Sequence, residues 1–407
     1  MNFVFISPNF PTNYYLWVEG LKRHGVNVLG IGDSPYWDLQ QRLKDSLTEY
    51  YCADLSNMDE LTKAVEYYQD KYGKIDYIES DNEWWLYSDA VLREKFGVNT
   101  GFHPEEMSKI KAKSAMKEYF NRGGAKTMRY ILVDGPEDKQ KAEEFRSKVG
   151  YPLFVKPNVG VGAASSYALH DDREFDEFFS HKLPETYIME EYIEGFIVSY
   201  DGICDSHSNV VFDTTHHFLT PIADVVNQKE DYYYYNAPFD LPFFDLDKEA
   251  FRKVGRAVVK SFGIKKRFFH IEFFVLTKDK PGLAKKGEFV ALECNMRPAG
   301  GYTPDLIDFA NSVSVYDIYA DVICFDENRQ DMTLPKYYAF ASARRDGIDY
   351  LHSEQEILDS YKDNLCLHGR YPAHMAVAMG DSFYYAKFDS FEEGQRFDAF
   401  VRTRAKQ

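Results

Sequence analysis

The sequence predicts a protein of mixed α/β and α+β class, and three observations carry that reading. The first hundred residues alternate short apolar strands with helices. The middle of the chain runs strand into strand through glycine-bearing turns. Beyond residue 331, strand-like runs alternate with acidic helices. At 407 residues the chain exceeds one ordinary core, so about two to four domains or subdomains are expected.

A strand over residues 3–7 leads into a helix over 14–24, closed by Gly25, and a second strand over 26–31. A helix over 58–72, a strand over 75–80 and a helix over 84–96 continue the alternation. This order predicts a small parallel sheet covered by helices, a Rossmann-like unit over residues 1–105. Asp33 ends the second strand, where a dinucleotide fold would place a ribose-binding acid. No GxGxxG follows the first strand, which argues against that fold.

Residues 105–122, EEMSKIKAKSAMKEYFNR, read as one basic helix stopped by Gly123-Gly124. Strands are expected over 128–133, 153–156, 166–169, 187–192 and 198–204, with helices over 139–149 and 174–181. Successive strands near Gly195 and Asn209 predict antiparallel hairpins. Residues 231–242, with Tyr232 to Tyr235 in a row, read as an ordered loop over a cleft, or else an exposed aromatic connector. A helix over 248–262 and strands over 268–276 and 287–294 follow. Beyond 331, strand-like runs over 337–343, 373–378 and 383–387 read as a smaller α+β unit, 331–407.

The charge excludes one class of partner. A formal net charge of −17 without a basic stripe is opposite to what nucleic-acid binding requires. It leaves ATP open, because a few lysines and Mg²⁺ can hold a triphosphate inside an acidic chain. Cys52, Cys204, Cys294, Cys324 and Cys366 show no CxxC spacing and read as reduced thiols. The start MNFVFISPNFP lacks the basic region of a signal peptide, and no apolar run suits a membrane span. A cytoplasmic protein with small-molecule partners is expected, its oligomeric state open and a homodimer included.

Two segments carry chemistry. In YPLFVKPNVGVGAASS an apolar strand delivers Lys156, followed by a loop of small residues from Gly160 to Ser166 and then another strand. Backbone N–H groups close on a phosphate only where side chains are small, and a lysine supplies the point charge. A Walker loop would need glycine directly before its lysine, and a Rossmann loop would open a helix. What remains is a strand–glycine loop–strand flap, with a plain hairpin turn as the competing reading. In FFHIEFF and VALECNMR, Glu272 and Glu293 interrupt apolar strands. Such carboxylates are costly unless paired or metal-bound. Glu293 and Asn295 share a strand face, and Glu272 completes an all-oxygen set suited to Mg²⁺ or Mn²⁺. Arg297 shares that face. A solvated strand face is the alternative.

The order of these pieces, from basic helix through Lys-glycine loop and EEYIEG to IEFF and LECNMRPAGG, resembles the ATP-grasp superfamily over about residues 1–330. Biotin carboxylase, carbamoyl phosphate synthetase and D-alanine–D-alanine ligase belong to it. The resemblance implies a pre-ATP-grasp domain over 1–105 and two nucleotide lobes over 106–330, the flap lobe being about 127–190. It implies that Lys109, with Lys113 as its rival, and Lys156 bind ATP phosphates, with Gly160, Gly162, Ser165 and Ser166 in the closing loop. Glu190, Glu191 and Ile193 would read the adenine edge between walls of Phe274, Met189 and Phe154. Glu272, Glu293 and Asn295 would ligate Mg²⁺, and Arg297 and Lys156 would act on the transferring phosphoryl group. Ile197 stands where the family often has a ribose-binding glutamate, which leaves Asp201 and Glu194 as candidates. The implied activity is ligation of a carboxylate to an amine through an acyl phosphate, giving ADP and phosphate, with an amino acid as one substrate. The alternatives are a bicarbonate-activating enzyme and a non-catalytic ATP-binding module. Asn82, Glu83, Arg344, Arg345, His216 and His217 are further polar candidates for facing substrate.

Overall fold

The computed structural model describes residues 1–160, 165–218, 231–239 and 246–405. Strands Asn2–Ile6, Asn27–Gly32, Glu49–Cys52 and Tyr77–Glu79 form a parallel four-stranded sheet in which the first strand lies between the second and the last. Helices Tyr15–Arg23, Met58–Tyr72 and Leu86–Phe96 accompany it. Asn57 accepts hydrogen bonds from Asp59 and Glu60, which explains why the second of these helices begins at Met58. The expected Rossmann-like alternation is therefore present, with one extra strand at Glu49–Cys52.

A second four-stranded sheet is antiparallel, in the order Tyr130–Val133, Tyr187–Glu191, Leu153–Pro157, Tyr167–Leu169. Helices Lys139–Val149 and Asp172–Phe178 supply Phe145, Phe175 and Phe178 to its own core, so this lobe buries apolar surface independently.

The largest sheet has nine strands among the described residues. Its order is Leu365–Arg370, Ser382–Phe388, Tyr338–Arg344, Tyr233–Ala237, Val210–Phe218, Gly195–Cys204, Arg267–Leu276, Phe289–Asn295 and Lys126–Thr127. Three expectations change here. Three of the four tyrosines, Tyr233 to Tyr235, lie in a strand and not in a loop: Tyr234 packs on one face with Tyr385, and Tyr235 packs on the other with Phe340. Aromatic residues that alternate between two buried faces are suited to a central strand. That strand pairs with Tyr338–Arg344, so residues beyond 331 continue the large sheet. The segment expected as a strand over 373–378 is a helix, Ala373–Met379, in keeping with its Ala and Met content.

Helix Thr303–Asn311 and helix Val315–Phe325 lie between the N-terminal domain and the large sheet. Trp17, fully buried, stacks its edge against Phe268, Tyr316 and Tyr319. Beneath it Glu79 receives Arg93 at 2.9 Å and also pairs with Arg267. Among the described residues no helix is long and apolar enough to cross a membrane.

The final helix, Phe391–Arg402, presses onto the large sheet at Gly394, where a Cβ would fall 1.9 Å from the Phe340 ring. Gly394→Ala should therefore lower unfolding stability by about 1–3 kcal/mol through overpacking. Urea unfolding of the variant measures this, and an unchanged midpoint would show that the helix is only loosely docked.

Candidate active site

The basic segment is not one helix. A short helix Met107–Lys111 ends at Ala112, whose φ of −95° and ψ of 115° are extended, and a second helix runs Lys113–Arg122. The break answers to the flap lobe. Lys113 N–H donates to the Asn158 carbonyl at 2.9 Å, Ser114 N–H to Asn158 Oδ1 at 2.9 Å, and Ala112 bridges Val159. These contacts occupy N–H groups that a helix start leaves unpaired. In a continuous helix Lys109, Lys113 and Lys117 would share a face. The break turns Lys109 away: its amine pairs with Glu106 at 2.8 Å and lies over the rings of Phe102 and Tyr119.

Lys113 and Lys117 instead point toward carboxylates of the two sheets, Glu293 and Glu190. Lys156 and Phe154 share a strand face with Glu190 across the ladder, whereas Met189 and Val155 point into the lobe core. Met189 is fully buried there, so it is no wall of an adenine pocket. Lys156 Nζ lies 2.8 Å from Glu190 Oε2, and Lys117 Nζ lies 2.5 Å from Glu190 Oε1. Burial opposes the charged form of Glu190, but Lys156 and Lys117 outweigh it and hold the carboxyl down at about 2. Glu191, on the opposite face, is taken by Arg129, with Nη2 at 2.6 Å from Oε2. Both adjacent carboxylates are therefore engaged by cations. Ile193 sits in an apolar cluster with Met128, Leu276 and Val290, against which Phe274 packs.

The second half of the site is the antiparallel pair Arg267–Leu276 and Phe289–Asn295. Glu272 lies directly opposite Glu293, and His270 opposite Asn295. The register then shifts, so that Phe273 faces Ala291 and Leu292 is the extra residue of a bulge. Burial raises the Glu293 carboxyl. Lys113 and Lys156 pull it down, Glu272 and Glu83 push it up, and the net displacement is upward. Lys113 Nζ is 3.7 Å from Glu293 Oε1 and donates to the Gly160 carbonyl at 3.0 Å. It thus links the flap base to the carboxylates. Arg297 Nε is 3.4 Å from Glu83 Oε2, and Lys111 Nζ is 2.7 Å from Glu83 Oε1. Glu83 follows the last strand of the N-terminal sheet, so that domain reaches into the site.

Of the loop residues, Gly160 (φ 144°), Ser165 (φ 60°) and Ser166 are described; Gly162 lies outside the described residues. Asp201 is fully buried between His216 and His270, which removes it as a ribose ligand. Glu194 pairs with Lys278 at 2.7 Å. Of the remaining polar candidates, His217 stacks on Tyr235 and Arg344 binds the Val401 carbonyl, both away from Glu293. Asn82 reaches the Phe10 carbonyl at 3.4 Å, and Arg345 reaches the carbonyls of Ala376 and Val377. Sequence reasoning did not single out Lys117 as a partner of Glu190, although its position one turn after Lys113 was a usable signal.

No family model matches the chain. An L-arginine-specific L-amino acid ligase of Bacillus subtilis is 31% identical over 111 residues, 27% of this chain and 26% of that protein. The matched segments span half or less of the curated relatives' lengths. The crystal structure of an L-amino acid ligase from Bacillus licheniformis superposes with a TM-score of 0.73 at 15% identity, over 100% of this chain and 98% of that one. The chain shares the fold of that ligase over its whole length. The biotin carboxylase domain of Hydrogenobacter thermophilus 2-oxoglutarate carboxylase, solved with MgADP, ADP and bicarbonate, has a similar fold. Its TM-score is 0.68 at 13% identity, over 99% of this chain and 90% of that one.

Glu190→Gln would leave two buried ammonium groups facing each other, and should cost about 3–5 kcal/mol of stability at neutral pH. Because the folded carboxyl lies below its ordinary value of 4.5, its contribution is complete above about pH 4.5 and fades as pH falls toward about 2. The stability gap between wild type and variant should narrow over that range in denaturant titrations. A gap independent of pH would separate the loss from the charge.

Proposed function

We propose that the protein is an ATP-dependent, ADP-forming ligase that joins a carboxylate to an amine through an acyl phosphate, with an amino acid as one substrate. The observation that carries this is the placement of Glu272 directly across from Glu293, beside Asn295 and under Lys113 and Lys156. Two carboxylates side by side in a mostly apolar strand pair suit a divalent cation, and the donors are all oxygen, as Mg²⁺ prefers. The residues present therefore fit the ion. When bound, Mg²⁺ would neutralise charge on the terminal phosphates of ATP.

The chain's own residues supply the rest. Lys156 and Lys113 offer cations on the two sides of the cleft, and Glu190 holds Lys156 and Lys117 in place between the lobes. Arg297, held near Glu83, is placed to offset charge on the phosphoryl group as a carboxylate oxygen attacks phosphorus and ADP leaves. The amine then attacks the acyl carbon and inorganic phosphate departs. The residues from Gly160 to Ser166 would exclude water that hydrolyses the acyl phosphate. The amino-acid part of the reading is supported by relatives named as L-amino acid ligases, and the nucleotide part by the MgADP complex of a protein with the same fold.

The test is a screen for ADP release over pairs of amino acids and small carboxylic acids with MgATP. With the carboxylate labelled by ¹⁸O, one label should appear in inorganic phosphate. Pyrophosphate with labelled AMP would overturn the acyl-phosphate route, and ADP release on bicarbonate alone would replace the substrate assignment. Lys156→Ala should lower turnover by about 10²–10³-fold, the loss expected for one positioned charge at the reacting group. Glu293→Ala should abolish turnover while the melting temperature holds.

A further inference from the structure

On the face of the large sheet that carries Glu293, a chain of buried polar side chains runs inward from Glu272. The register sets it up: Asp201 lies opposite His270, and Ser199 lies opposite both His216 and Glu272. Each oxygen of Asp201 meets one imidazole, Oδ1 with His270 Nδ1 at 2.7 Å and Oδ2 with His216 Nδ1 at 3.0 Å. The Ser199 hydroxyl also donates to Oδ2. His270 turns its second nitrogen, Nε2, to Glu272 Oε1 at 3.1 Å. Both ring nitrogens of His270 thus face carboxylate oxygens, one on each side. His216 is braced in turn, with its Nε2 3.4 Å from Asn236 Nδ2.

Burial grades along this chain. Asp201 and His216 are wholly excluded from solvent and His270 nearly so, while the Glu272 side chain keeps 24% of its exposure. The buried end is rigid because each group is hydrogen-bonded and packed. The exposed end is the carboxylate that borders the cleft. On the other face of the same sheet, Asp213 closes its pairing with Tyr200, Arg252 and Arg256 and leads nowhere further. The Asp201 chain differs in ending at the site.

We propose that Asp201 and His270 are positioning residues that aim the Glu272 carboxylate at the divalent cation. The pair holds Oε1 from behind and thereby presents Oε2 to the cleft, against the repulsion of Glu293 directly opposite. Ligands oriented by such outer partners bind metal better, and losing the partner costs about 10–100-fold in affinity. This inference rests on the reading of Glu272 as a metal ligand.

Mn²⁺ titration of the full chain saturated with a non-hydrolysable ATP analogue, followed by electron paramagnetic resonance, tests it. Asp201→Asn and His270→Phe should each weaken Mn²⁺ binding by about 10–100-fold. Affinity for the analogue without metal should not move. His270→Gln, which keeps a donor toward Glu272, should recover part of the loss. Unchanged Mn²⁺ affinity in either variant that folds overturns the proposal, and so does failure of both to fold, which would make the pair a folding element. Glu272→Gln serves as the reference. If it too leaves Mn²⁺ binding intact, the metal assignment of Glu272 fails, and that outcome is distinct from failure of the positioning pair.

Discussion

Glu190 sits at 2% exposure between two buried lysines that come from different bodies of the molecule. Lys156 belongs to the flap-lobe sheet and Lys117 to the helix Lys113–Arg122 that packs on the large sheet. A lysine buried alone tends to lose its proton, because desolvation penalises the charged form. Burial indeed pulls Lys117 below its ordinary value, and Glu190 opposes that pull. One carboxylate shared by two ammonium groups leaves a net positive charge within the cleft and ties the lobes together. The proposed nucleotide site depends on this arrangement.

The carboxylates on the facing hairpin complete the polarity. A bulge at Leu292 lets Glu293 keep its place opposite Glu272 while the rest of the strand stays in register. Without it the strand would present its apolar residues on the wrong face, because a shift of one residue exchanges faces. Lys113 then bridges the halves, one end of its reach near Glu293 and its hydrogen bond on Gly160. The cleft is thus an electrostatic sandwich of lysines and carboxylates.

The N-terminal domain is part of this site, not an appendage. Trp17 and the Glu79–Arg267 pair fasten it to the large sheet, and Glu83 emerges from the open end of its own parallel sheet. Ligand sites of open α/β sheets lie beyond the carboxyl ends of their strands, beside the point where strand order reverses. Here that point falls between Asn2–Ile6 and Tyr77–Glu79, from which Glu83 reaches Arg297.

Local pattern sufficed for much of this. Alternating strands and helices gave away the parallel domain, the two acid-bearing strands form where their apolar runs lie, and the helices at 58–72, 139–149 and 248–262 keep the bounds that periodicity gives them. These features are set by neighbours within a few residues. What local pattern could not convey was set by contacts far apart in the chain. Nothing in IKAKSAM marks a helix break; it forms where Asn158 and Val159 meet the chain, and it parts Lys109 from the face of Lys113 and Lys117. Four tyrosines in a row read as a loop until strands from residues 210–218 and 338–344 flank them on both edges. Asp201 looked available to a ribose until two histidines from neighbouring strands closed over it. By itself the sequence determined which residues carry charge and which segments are regular, because both follow from local chemistry. Which charges meet was decided only by the tertiary structure, because ion pairing depends on distances of a few ångströms between segments that the chain order leaves unconstrained.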